Sequence, residues 1–155
     1  MDKVYISVVK GRGNRWGVFA TEKAIIGIYP VITDVLPDEN TVSTYAARQI
    51  DEYFVIIRYE FDFPIKLHGT PFQQQVWDAL RSIPYGNTMS YSEIAALIGK
   101  PKAVRAVGQA VGKNPCLIAV PCHRVLGKNG RLTGFSAGMD IKKQLLSLEG
   151  ILFRE

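Results

Sequence analysis

The chain has 155 residues, 47% hydrophobic and 21% charged, with a net charge of +5, a balance that excludes a disordered tail, a collagen-like rod and a low-complexity chain. The length suits one domain or two small lobes, large enough to form a core without disulfide staples. Apolar runs are short and the N-terminus lacks a basic region followed by an apolar core, so a cytoplasmic protein with no membrane contact and no secretory signal is expected.

Charge is unevenly distributed. Residues 1–70 carry 8 Lys/Arg against 9 Asp/Glu, whereas residues 71–155 carry 11 against 5. No acidic residue lies between Glu93 and Asp140, where Lys100, Lys102, Arg105, Lys113, Arg124, Lys128 and Arg131 all fall. Such a stretch suits either a polyanionic partner, nucleic acid first, or a plain solvated face.

The first ~60 residues are enriched in β-branched and aromatic types. Strands are expected at Val4–Val9, Trp16–Thr21 and Ile25–Ile32, with Gly11, Gly13 and Gly17 at turns. Thr44–Phe54 reads as an amphipathic helix. Tyr59–Phe63 alternates like a strand, but Pro64 would end any central strand there. A boundary is expected near residues 64–70, giving an N-terminal lobe (1–65) and a C-terminal lobe (66–155).

From Thr70 the pattern becomes helical. Thr70-Pro71-Phe72-Gln73 is a capping box with proline at the first helical position, and Ser90-Tyr91-Ser92-Glu93 is a second box. A third helix is expected over Lys102–Gly112 after the tight Gly99-Lys100-Pro101 turn, closed by Asn114-Pro115. Two short helices about a glycine turn, the second basic, have the form of a helix-turn-helix. A final helix is expected at Asp140–Glu149, with Ile141, Leu145 and Leu148 inward.

Chemistry concentrates at Pro121-Cys122-His123-Arg124, which follows the apolar run Leu117–Val120. That run is expected as a buried strand-like segment delivering Cys122 into a turn. A free thiol near pKa ~8.5 is mostly protonated at neutral pH, and a neighbouring base or cation activates it. A buried cysteine can equally be an inert small hydrophobe, the reading Cys116 takes. With His68 and His123 the only histidines, and Cys116 and Cys122 separated by five residues, no metal or other cofactor is expected.

Asn114-Pro115, Val120-Pro121-Cys122-His123-Arg124-Val125, Gly134-Phe135-Ser136-Ala137-Gly138 and Leu148-Glu149-Gly150 resemble the O6-alkylguanine-DNA alkyltransferases. Gly69-Thr70-Pro71-Phe72, Ile83-Pro84-Tyr85-Gly86, Ser90-Tyr91 and Arg105-Ala106-Val107-Gly108 match in the same order. The resemblance runs nearly continuously from Tyr59 to Gly150, and the Pro-Cys-His-Arg signature is highly specific. It implies a mixed α/β (α+β) fold: a small N-terminal ribonuclease-H-like α/β lobe and a helical C-terminal lobe with a winged-helix-like helix-turn-helix.

The resemblance also implies a function, the irreversible, one-time transfer of an alkyl group from O6 of guanine (also O4 of thymine) in duplex DNA to Cys122. In that scheme His123 takes the thiol proton through a water, Glu149 orients the imidazole, and Asn114 braces the turn before the cysteine. Tyr91 donates to guanine N3, while Val125, Phe135 and Ser136 line the base pocket. Arg105 enters the stack in place of the flipped base, with Arg124, Lys102, Ala106 and Gly108 at the DNA surface. Some members have tyrosine where this chain has Phe135, and the zinc ligands of some N-terminal lobes have no counterpart here. No separate N-terminal methylphosphotriester or regulatory domain is expected. The partner implied is double-stranded DNA containing O6-alkylguanine, met by a monomer, with cooperativity along DNA left open. Three alternatives stand beside this reading: a non-reactive damage-recognition relative, in which tryptophan usually replaces the cysteine, a winged-helix regulator, and a thiol hydrolase.

Overall fold

A computed structural model describes residues 2–155. Its internal contacts fall into two units that divide between His68 and Gly69, and each is described separately.

The N-terminal unit is a three-stranded antiparallel sheet with one helix. Strands β1 (Tyr5–Lys10), β2 (Arg15–Ala20) and β3 (Ile25–Pro30) pair in sequence order. The register runs from Tyr5 opposite Ala20 to Lys10 opposite Arg15, with an irregularity at Phe19/Ala20 on the β3 side. Alternation sends Trp16, Val18 and Ala20 inward, as the two-residue period of a strand requires. They meet helix α1 (Thr41–Phe54), whose Ala46, Ile50, Tyr53 and Phe54 are buried.

The α1 helix begins three residues earlier than its hydrophobic period indicates. The cause is a capping box made by Asn40 and Ser43: Ser43 N–H donates to Asn40 Oδ1 (2.8 Å), and Asn40 N–H donates to Ser43 Oγ (3.0 Å). Beneath it the Ser7 hydroxyl lies 2.9 Å from Ser43 Oγ and 2.7 Å from Glu39 Oε2. The alternating Tyr59–Phe63 segment forms no strand; past Pro64, Ile65 makes an isolated parallel bridge to Ile25.

The C-terminal unit is helical. Helix α2 (Pro71–Leu80) starts at the Thr70 box, with Pro71 where the absent N–H has no helical partner to lose. A two-residue strand β4 (Met89–Ser90) leads directly into α3 (Tyr91–Leu97), capped by Ser90 and Glu93. After the Gly99 turn comes α4 (Val104–Gly112), which turns Val107, Ala110 and Val111 inward. The buried Trp77 indole of α2 donates to Ala110 O at 2.9 Å, fixing α4 against α2.

Strand β5 (Val125–Leu126) pairs in parallel with β4, Met89 opposite Val125 and Ser90 opposite Leu126. Helix α5 (Met139–Leu148) closes the unit, one residue ahead of the span expected from its apolar positions. Leu126 on β5, Leu146 on α5 and Ile151 form a cluster to which Leu132 and Phe153 add. The mixed α/β class and the helix-turn-helix read from the sequence are both present.

Candidate active site

The segment before the signature is not a strand. Cys116 to Val120 folds as a turn, with Ile118 at φ +71°, a left-handed conformation unusual for a β-branched residue. Asn114 holds it from inside: Cys116 N–H donates to Asn114 Oδ1 (2.9 Å), and Asn114 Nδ2 donates to Val120 O (2.8 Å). The apolar run satisfied a strand pattern, but these two bonds and the buried Leu117 and Ile118 side chains favour the turn. The chain emerges into a single 3-10 turn, Cys122–Arg124, whose three side chains are all buried.

Glu149, the C-cap residue of α5, gathers this turn. Its Oε2 lies 2.6 Å from His123 Nε2 and its Oε1 accepts from Arg124 Nε at 2.8 Å. Arg124 Nη2 donates to Oε2 (3.0 Å), and Gly86 N–H donates to Oε1 (3.0 Å). Gly86 can present that N–H because it sits at φ +80°, a region open to glycine. Burial alone would raise the Glu149 pKa, but His123 and Arg124 outweigh it and bring the carboxyl down to about 2.

Glu149 is therefore an anion that only accepts hydrogen bonds, and the proton in the His123 bond belongs to Nε2. Burial pushes the His123 pKa down against the pull of Glu149, so the imidazole is neutral at pH 7. Its buried Nδ1 then has a bare lone pair, and no protein group hydrogen-bonds to it. This pattern, a histidine fixed through one nitrogen with the other open, is that of a general base.

Cys122 is 2% exposed. Burial pushes its thiol up to about 11, opposed by hydrogen bonding from Asn114, the positive charge of Lys142, and the Cys122 and His123 backbone. Cys116 is pushed up further, to about 12, by its own burial. Cys122 is thus surrounded by several groups that favour its anion, whereas against the burial of Cys116 only the charge of Arg81 pulls the same way.

Lys142 was not among the residues singled out from the sequence. Its α5 position carries an amphiphilic side chain that usually stays solvated, yet it is 1% exposed. Its ammonium donates to Val125 O (2.9 Å) and Thr133 Oγ1 (3.3 Å) and lies 5.8 Å from the Phe135 ring centroid. Burial lowers its pKa to about 8. The only sequence signal is its place next to Ile141 on the inward side of the helix.

Tyr91, the first residue of α3, is half-buried, and its hydroxyl lies 2.6 Å from Thr133 Oγ1. Thr133 thus joins Tyr91 to Lys142. Val125 is buried, Phe135 is half-buried and Ser136 is exposed. On α4, Arg105 and Ala106 are exposed, as is Lys102 in the preceding turn. A Cβ placed on Gly108 would stand 3.8 Å from the Tyr91 ring, an ordinary contact, so packing within the chain does not demand glycine there.

Arg124 is a correction. Expected at the DNA surface, it is 5% exposed, and its guanidinium is held by Glu149 and by Ile83 O, which accepts from Nη1 at 2.7 Å. The carboxylate's bidentate geometry suits an arginine fork better than any exposed site would, which draws the side chain inward. Among the described residues no cluster of three or more His, Cys, Asp or Glu could hold a metal ion.

Residues 71–151, more than half of the chain, match the sequence profile described as 6-O-methylguanine DNA methyltransferase, DNA binding domain. A methylated-DNA–protein-cysteine methyltransferase of Methanosarcina acetivorans is 55% identical over 105 residues, 68% of this chain and 67% of the relative. This chain thus spans about two thirds of that relative's length. The crystal structure of Mycobacterium tuberculosis O6-methylguanine methyltransferase aligns with a TM-score of 0.86 at 38% identity, covering 95% of this chain and 93% of that one. A second structure from that organism, in complex with DNA, aligns at 0.82 and 40% identity over 92% and 90% of the two chains. The profile match and this level of identity lead to one conclusion: the chain belongs to the 6-O-methylguanine DNA methyltransferase family.

Proposed function

We propose that this chain repairs alkylated DNA by direct reversal, moving the alkyl group from O6 of a guanine to its own Cys122. The observation that carries this reading is the neutral His123, fixed by ionised Glu149 through Nε2 and open at Nδ1, in the same buried turn as Cys122. The M. tuberculosis relative solved in complex with DNA supports DNA as the partner.

In the transfer, Cys122 Sγ forms a bond to the alkyl carbon as the carbon–O6 bond breaks, and its electron pair leaves with the guanine. The thiol proton passes by way of a water to His123 Nδ1. The departing base gains one proton, the number Cys122 gives up. Tyr91 hydrogen-bonds guanine N3 as charge builds on it, after exchanging its partner Thr133. Lys142 keeps a positive charge near the forming thiolate. Arg124 shares Glu149 with His123 and stabilises its anionic form, so Arg124 positions the base through Glu149.

A base inside the duplex cannot reach a buried thiol, so the nucleotide must be flipped out. Arg105, exposed near the start of α4 with Ala106 beside it, fills the space left in the stack, and Lys102 contacts phosphate. The thioether has no group here to cleave it, so each molecule reacts once.

Intact-mass spectrometry after mixing with a duplex carrying one O6-methylguanine tests the reading. The expected result is one added CH2 per protein, mapped to Cys122 and absent in Cys122→Ser. Lesion binding with no adduct would instead make the chain a non-reactive damage binder.

A further inference from the structure

Beyond the base pocket lies a basic feature that the transfer chemistry does not use. After β5 the chain turns at Gly127–Gly130, with Asn129 at φ +62°, and returns through Arg131 and Leu132. Gly127 N–H donates to Arg131 O at 2.8 Å, closing the turn. The C-terminal segment adds along its edge: Leu132 N–H donates to Arg154 O (2.7 Å), and Arg154 N–H donates to Gly130 O (2.9 Å). These bonds make Arg131 and Arg154 a parallel bridge pair. Directly opposed residues project from the same side of a sheet, so two exposed arginine side chains leave the backbone side by side.

Like charges placed this way are destabilising unless an anion lies between them. Among the described residues neither arginine has an acidic partner, and the nearby acid Glu155 is paired with Lys143. Exposed Lys128 at the turn adds a third cation. The arrangement does not arise from loose ends, because Leu126, Leu132, Leu146, Ile151 and Phe153 pack the turn and the C-terminal segment together. Two residues past Arg131, Thr133 touches both Tyr91 and Lys142.

We infer that Arg131 and Arg154 form a clasp for one backbone phosphate of the DNA, set beside the reactive pocket and separate from the α4 helix. The inference rests on the alkyltransferase reading for its partner. Two guanidinium forks can donate in parallel to the two non-bridging oxygens of one phosphodiester. The phosphate relieves the repulsion between them, and the clasped strand is drawn toward the Thr133–Tyr91 contact.

The test uses the full chain and the double variant Arg131→Gln/Arg154→Gln with an O6-methylguanine duplex. The plot of log affinity against log salt should become shallower by about 0.9, the loss of one phosphate contact. Scanning neutral methylphosphonate linkages across the duplex should reveal one flanking position that weakens the wild type and leaves the variant unaffected. Alkyl transfer from free O6-benzylguanine should keep its wild-type rate. An unchanged slope and an unchanged linkage scan would overturn the clasp and leave the pair to some other anionic partner. An equal loss with the free base would overturn it too, by showing that the arginines only hold the turn. Failure of the wild type to form any adduct would count against the alkyltransferase reading, while the linkage scan would still decide the clasp.

Discussion

The two units handle buried polarity in opposite ways. In the N-terminal unit the fully enclosed polar side chains are Ser7, Ser43 and Gln49, none of them charged, beneath a regular sheet and one helix. The C-terminal unit encloses Asn114, His123, Arg124, Lys142 and Glu149 around turns and a 3-10 helix. The neutral hydroxyls are satisfied at a helix cap and the Gln49 amide by Asp62, for little free energy, whereas buried charges need several partners each. A structure keeps such charges where their mutual fields have a chemical use, and here they surround Cys122.

The strongest way to break this contrast is Glu149→Ala. It strands Arg124 in the interior and frees the His123 ring, and the expected loss of stability is about 3–5 kcal/mol, measured by urea unfolding. Glu149 also sets an acid limit. Its pKa is depressed in the folded state, so its contribution is present above the ordinary carboxyl value and disappears as pH falls from ~4.3 toward about 2. Acid titration monitored by circular dichroism should show unfolding in that window, shifted upward or lost in the variant.

Arg105→Ala should reduce repair of a duplex lesion by roughly a hundredfold, the equivalent of a flipping cost of a few kcal/mol. Reaction with free O6-benzylguanine should be nearly unaffected. Equal losses on both substrates would remove Arg105 from the flipping step.

Methylation of Cys122 adds a group to a 2%-exposed site and should lower stability by about 1–3 kcal/mol through overpacking. A differential-scanning comparison of fresh and reacted protein checks this.

The Lys142 charge sharpens the comparison through pH. Below about 8 the ammonium favours the Cys122 thiolate; above it that help is lost, while hydroxide continues to favour deprotonation of a thiol near 11. The single-turnover rate on O6-benzylguanine should climb with pH and bend near 8. Lys142→Met should be slower at pH 7 and lack the bend.

The smallest effect belongs to the other unit. Ser43→Ala removes half of the α1 capping box and a bond from Ser7, for about 1 kcal/mol. Transfer to Cys122 should be unchanged.

Much of this was legible in the chain. Thr70 and Ser90 sit three residues ahead of Gln73 and Glu93, so both capping boxes announce their helices through local bonds alone. The strands of the first 30 residues follow from β-branched alternation in the same local way. Asn40 with Ser43 was harder to see, because serine in place of glutamate makes a weaker signature. Leu117–Val120 misled because a buried turn and a buried strand have the same composition. What distinguishes them is where the Asn114 amide points.

The sequence alone determined the helices and their caps, the strand-rich first segment, the uneven charge and the signature that marks Cys122. Those features depend on neighbours a few residues apart. Tertiary structure decided that Arg124 faces inward to Glu149, that Lys142 lies beneath Val125 and Thr133, and that Arg131 meets Arg154 across a bridge. Each of these joins residues 9 to 25 positions apart, and a long cationic side chain carries no local sign of which way it will turn. Burial and the available partners make that choice once the chain has folded.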